Sequence, residues 1–117
     1  MLPNWNSDIT LYLRRETETS VQWERRCFSR CFFKRIKSSD LDDKSRIEGE
    51  SFTVRIPCKE AFEIPEGSFA VLGDVSDELA ENSGGNSLLE KYGGKAFRIE
   101  TVSFNTDFYL PHIRIGN

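Results

Sequence analysis

Apolar and polar residues alternate along most of this chain, and the period is two. In Ile9-Thr10-Leu11-Tyr12-Leu13-Arg14 the aliphatic positions 9, 11 and 13 fall on one face and Thr10, Tyr12 and Arg14 on the other. Side chains that switch faces at every step are the mark of a half-buried β-strand. Thr19 to Arg25 repeats the pattern with Val21 and Trp23 pointing together, and the polar link Arg15-Glu16-Thr17-Glu18 is short enough for a hairpin. Cys27 to Ile36 fits two periods. As a strand it sets Phe28, Arg30 and Phe32 opposite Cys27, Ser29, Cys31 and Phe33; as a helix it stacks Phe28, Phe32 and Ile36. Its aromatic content and its neighbours favour the strand.

Residues 38–50 break the pattern. This polar stretch has one glycine and only Leu41 and Ile47 as apolar anchors, and it reads as a mobile loop. Alternation then returns in Ser51 to Pro57, with Phe52, Val54 and Ile56 inward and Pro57 ending the strand. Pro65-Glu66-Gly67 marks a tight reversal before a strand over Ser68 to Gly73. Ser76 to Ala80 is expected to start a short turn that Gly84-Gly85 interrupts. Asn86 to Tyr92 can form two helical turns capped by Gly93-Gly94. Phe97 and Ile99 point inward in the next strand, and the phase slips at Thr101-Val102, as at a bulge. Pro111 to Gly116 is the last short strand. The expected fold is a single domain spanning residues 1–117. It is mainly β, a small antiparallel β-barrel or sandwich of six to seven strands with one or two short helices and a long polar loop.

Composition narrows the chemistry. The chain has 117 residues, 38% hydrophobic and 12% aromatic, enough for one core and too apolar for a disordered chain. No apolar run approaches the ~20 residues of a membrane helix, and the N-terminus lacks a secretory signal pattern, so a soluble intracellular domain is expected. One histidine and three cysteines leave little material for catalysis. Cys27, Cys31, Cys58 and His112 are a legal zinc set by type. On a regular strand, however, residues four apart lie about 13 Å from one another, so zinc is not expected. The glycine pairs match no phosphate-binding motif, and Asp42-Asp43 and Asp74/Asp77/Glu78 lack calcium-loop spacing. No catalytic residue, cofactor, metal or small-molecule substrate is expected, and His112 is read as a strand residue near the surface.

The net charge of −3 hides an asymmetry: residues 1–37 balance at +4 and residues 38–117 at −7. Such a charge dipole suits head-to-tail packing between copies of one subunit. The candidate contact residues are Arg25, Arg26 and Arg30 on the basic side, and Asp40, Leu41, Asp42, Asp43 and Ile47 in the loop.

Several short stretches resemble one known group. They are Asp8-Ile9-Thr10-Leu11-Tyr12, Trp23, Val54-Arg55-Ile56-Pro57, Ile64-Pro65-Glu66-Gly67 with Val71-Leu72-Gly73, and the closing Leu110-Pro111-His112-Ile113-Arg114-Ile115-Gly116. Together the order resembles the minor capsid or head–tail joining proteins of long-tailed bacteriophages and prophages. It departs from that pattern at Gly67-Ser68, where Gly-Asp would be expected, and in the Cys- and Phe-rich stretch 27–33. The resemblance implies a non-enzymatic virion component, a connector or head-closure subunit at the head–tail junction, made in the bacterial host cytoplasm. It implies a ring of copies between the portal or adaptor and the tail proteins, around DNA that passes through the lumen without sequence-specific binding. A tail-terminator or tail-completion role is an alternative within the same group. Two other classes stay open: a nucleic-acid-binding barrel using Arg25, Arg26, Arg30, Lys34 and Arg35 with Trp23 or Phe32 for stacking, and an enzyme with a minimal site around His112 and Asp107.

Overall fold

A computed structural model of the chain describes residues 5–37, 50–58, 62–82, 84–105 and 111–117. Among these residues seven strands form in chain order: β1 (Ser7–Glu16), β2 (Val21–Lys37), β3 (Glu50–Pro57), β4 (Phe69–Leu72), β5 (Ala96–Arg98), β6 (Thr101–Asn105) and β7 (His112–Gly116). One helix, α1 (Asn86–Tyr92), precedes β5 and runs into a 3-10 turn at Gly93–Lys95. The strand order is β5-β4-β1-β2-β3-β7-β6, and every neighbouring pair is antiparallel. This is the mainly β architecture that the alternation predicts, and the ambiguous stretch 27–36 is strand.

Two long bent segments turn this order into a barrel-like sandwich. β2 pairs with β1 through residues 21–31 and then with β3 through residues 32–37, so one strand serves both halves of the sheet. At the other margin the chain steps from β5 to β6: Ile99 N donates to Ser68 O and Glu100 N to Gly116 O, both at 2.8 Å. These bonds tie the chain to the β4 side and the β7 side in consecutive residues. The bulge expected at Thr101-Val102 does not form: Thr101 to Asn105 pair with β7 in unbroken register, and the change of phase is this crossing at Ile99-Glu100.

β2 bends at a bulge. Ile9 faces Phe28 while Ser7 faces Cys31, so β2 spends three residues where β1 spends two. Arg30 takes up the difference with φ 58, a left-handed conformation costing a residue with a Cβ about 1–2 kcal/mol. The bulge also inverts the faces. Cys27 lies opposite Thr10 and is exposed, whereas Cys31 is fully buried in the core. The expectation that residues four apart share a face is therefore corrected here: an extra residue in the strand places these two cysteines on opposite sides.

Two apolar clusters fill the fold. Ile9, Leu11 and Leu13 of β1 meet Phe52, Val54 and Ile56 of β3, Ile113 and Ile115 of β7, and Phe97 and Ile99 between the sheet halves. Phe52 and Phe97 stack at 4.8 Å. The second cluster lies on the outer face of the β1 half, where Tyr12, Phe69, Val71, Ala96 and Trp23 are covered by Leu88, Leu89 and Tyr92 of the α1 region and by Val75 and Leu79. β1 is thus buried on both sides from Ile9 to Leu13. Burying a side chain of this size contributes about 1.5–3 kcal/mol, which makes β1 the central element.

Glycine enables two of the turns. Gly67 has φ 89 in the Pro65–Ser68 reversal, closed by Ser68 N donating to Pro65 O at 3.2 Å. Ser68, where the resemblance would expect Asp, is fully buried; its hydroxyl donates to Pro65 O at 2.7 Å and accepts from Arg14 N at 3.0 Å. A carboxylate could not donate to that carbonyl. Gly85, with φ 81, is the residue before α1 and lies against the Phe69 ring. The segment Asp74–Ala80 is irregular and not helical; its turn falls at Glu81–Asn82. Of the stretch read as a loop, Glu50 is the first residue of β3 and residues 38–49 lie outside the described residues.

Candidate interaction surface

The three arginines singled out at the start of β2 do not share a face. Arg25 lies on the outer side, donating from Nη1 to Val75 O at 2.9 Å. Arg26 lies opposite Leu11 on the core side, where its guanidinium sits 4.5 Å from the Phe62 ring centre and 5.2 Å from that of Phe28. Those two rings are stacked at 5.5 Å, so Arg26 closes the lid of a small aromatic pile. Arg30 is exposed at the bulge. Trp23 packs on Phe69 at 5.9 Å and takes part in the second cluster. Asp40, Leu41, Asp42, Asp43 and Ile47 lie outside the described residues, as does Asp107.

His112 is not near the surface as expected. It is 7% exposed, with Trp5 edge-on at 5.8 Å and Asn105 Nδ2 3.5 Å from its Nε2. It lies opposite Pro57 at the start of β7, and Trp5 covers it. Among the described residues no group of three or more His, Cys, Asp or Glu could hold a metal ion.

The structure instead assembles a basic face that no stretch of sequence displays. On the outer side of the β3 half, register places Phe32, Arg55, Arg114 and Ser103 side by side across four strands. The next row holds Lys34, Thr53, Gly116 and Thr101. Arg55 and Arg114 are direct cross-strand partners, an arrangement that places two like charges within about 5.5 Å at their Cβ atoms and costs stability. The Arg55 guanidinium lies 5.1 Å from the Phe32 ring centre, and Trp5 packs against the same ring at 6.1 Å. Lys34 and Arg114 are exposed, as is Ile36 at 40%. Among the described side chains on this face none is a carboxylate, and Lys34, Arg55 and Arg114 enter no ion pair among the described residues.

The opposite side of the molecule carries the other sign. From Asp74 to Tyr92 the chain has five acids and one base. Asp77 is its anchor: its carbonyl accepts from Tyr12 Oη at 2.7 Å, and its carboxylate accepts from Tyr92 Oη and Lys91 Nζ, both at 2.8 Å. Those donors, Lys91 foremost, hold the Asp77 carboxyl below its ordinary value, and the Asp77 carboxylate in turn pushes Lys91 and Tyr92 up. Burial, with the Asp77 charge second, pushes the Tyr12 phenol up to about 12. Asp74, Glu78, Glu81 and Glu90 are exposed and enter no ion pair among the described residues. Arg25 donates to the carbonyl of Val75 and enters no ion pair among the described residues.

A third feature lies at the sheet margin. β6 pairs only with β7 among the described strands, and Val102 and Phe104, on the face of Ile115 and Ile113, remain 37% and 45% exposed. Beside them an open groove is lined by Ile64, Pro65, Gly67, Ile99 and Val102, with Glu66, Arg98 and Glu100 at its rim. β-Branched and aromatic residues on a free strand edge favour pairing with another chain.

These surfaces can bind and pack. A family model described as a family of unknown function, DUF6751, matches residues 4–117. The chain belongs to this family. No curated protein and no solved structure matches it. Membership thus covers both charged faces and the β6 margin, and it leaves the function to be argued from the surfaces themselves.

Proposed function

We propose that the chain is a structural subunit of a bacteriophage or prophage particle, a head–tail connector or head-closure protein that works by contact. The observation that carries this reading is the pairing of the two stretches with the strongest resemblance to such proteins. Val54, Arg55, Ile56 and Pro57 of β3 lie opposite Ile115, Arg114, Ile113 and His112 of β7, residue for residue. The resemblance therefore falls on one continuous piece of sheet, with an apolar core side and a charged outer side. The β6 edge, with Val102 and Phe104, adjoins that piece and supports a role in assembly. A subunit of this kind meets copies of itself and the portal and tail proteins on either side.

Native mass spectrometry with the cognate portal ring and tail proteins tests the reading. Stable incorporation of several copies at the portal or the tail end supports it. A chain that joins neither under any order of addition overturns it.

A further inference from the structure

We propose that the outer face of the β3 half and the acidic layer on the far side of the barrel are the two halves of one head-to-tail interface, so that the partner seated on the basic face is a second copy of this chain. This interface rests on the assembly reading and names the surfaces through which one copy meets the next.

Some of the charges on the molecule are paired, and others enter no ion pair among the described residues. Arg14 pairs with Glu16, and Arg15 with Glu24 and Glu63, at 2.9–3.5 Å. Lys34, Arg55 and Arg114 have no such partner among the described residues, and neither have Glu78, Glu81 and Glu90. These six charges lie by sign on opposite sides, because the two sheet halves pack through one common core and their outer faces point apart; Arg98, opposite Phe69, is an exposed cation on the acidic side that also enters no ion pair among the described residues. The direct Arg55–Arg114 pairing is unfavourable in a free monomer and is relieved when an anionic surface covers it. Complementary patches on opposite sides of one subunit make a heterologous contact, which closes into a ring or continues as a filament according to its rotation. Ile36, 40% exposed on the basic face, adds apolar area to a contact that charge alone would leave weak.

Nucleic acid is the competing occupant, and three observations disfavour it. The Phe32 ring is already engaged by Arg55 and Trp5, so it is not an open platform for a base. Three cations neutralise few phosphates, and the chain as a whole carries −3. The complementary anionic patch is present on the chain itself.

The test is a charge swap followed by sedimentation. One variant carries Arg55→Glu with Arg114→Glu, the other Glu78→Lys with Glu81→Lys; all four side chains lie outside the core, and cooperative thermal melts check that both variants fold. Wild type is expected to self-associate reversibly at low salt and to weaken as the Debye length shrinks to about 3 Å near 1 M. Each variant alone is expected to lose affinity by about tenfold or more, and an equimolar mixture of the two is expected to recover a complex, because the reversed faces again match. Wild type that stays monomeric at low salt and high concentration overturns the proposal. So does self-association that both variants retain, or a mixture that fails to rescue. Binding of a single-stranded oligothymidine that depends on Arg55 and Arg114, without self-association, reassigns the face to nucleic acid. Variants that still join a portal or tail complex as wild type does would refute this interface and leave the connector reading standing.

Discussion

Removing one oxygen atom, Tyr12→Phe, should destabilise the protein at neutral pH and stabilise it in strong base. Tyr12 is 1% exposed, and its hydroxyl donates to the Asp77 carbonyl at 2.7 Å, tying β1 to the segment that covers it. A neutral hydrogen bond of this kind contributes about 0.5–1.5 kcal/mol net, and the stranded carbonyl adds to the loss, so about 1–2 kcal/mol is expected at pH 7. For a chain of this size that lowers Tm by about 4 °C per kcal/mol. Base reverses the order. The phenol titrates at about 12 in the folded protein against an ordinary value of 10.0. Below the unfolded value both states are neutral and nothing is lost. As pH rises from that value towards the folded one, the unfolded chain ionises first and wild type loses up to about 2.7 kcal/mol, at 1.36 kcal/mol per pH unit. The phenyl ring of the variant cannot ionise, so the two stability curves should cross within that window. Urea unfolding at neutral pH and at several alkaline values measures both. Cys31 titrates in both proteins and cancels in the difference. Curves that run parallel through the alkaline range would refute the claim that burial and Asp77 hold this phenol neutral.

Gly85→Ala should cost about 2–4 kcal/mol, because φ is 81 and the added Cβ would stand 2.5 Å from Phe69 Cε1; Gly84→Ala, with open space around it, should be near neutral in the same thermal melts. Arg30→Gly should raise stability by up to about 1 kcal/mol by relieving the left-handed residue at the bulge, and a loss in urea unfolding would contradict that assignment. In native protein near neutral pH an alkylating reagent should label the exposed Cys27 ahead of Cys31, whose thiol burial pushes up to about 12; mass spectrometry showing Cys31 modified first would exclude the buried placement.

The fold is legible in the sequence wherever one face of a strand is dry. Ile9, Leu11 and Leu13, like Phe52, Val54 and Ile56, announce their shared side by alternation alone, and all six are buried. Gly93 after Tyr92 marks the end of α1 correctly. The layer over Tyr12 is harder to see, because Val75, Leu79 and Leu89 come from a segment with no sustained period. Arginine gives no hint of a positive φ, so nothing in the sequence points to Arg30, and that one residue reverses the relation between Cys27 and Cys31. The basic face is half visible. Alternation already turns Arg55 and Arg114 away from the core, but that they stand opposite each other follows from the β3–β7 register, which joins residues far apart in the chain. For the same reason the +4 and −7 division along the sequence does not describe the molecule. Two of the three cations on the basic face come from the acidic stretch.

The 17-residue β2 belongs to both halves of the barrel. Neither half therefore owns a complete set of backbone partners once the other has opened. Melting the β3 side would strip residues 32–37, and melting the β1 side would strip residues 21–31, from the same strand. The domain should accordingly lack an independently exchanging half, with amides on either side of Arg30 becoming accessible to deuterium in one shared opening. A shared strand of that kind makes the two halves open together or not at all.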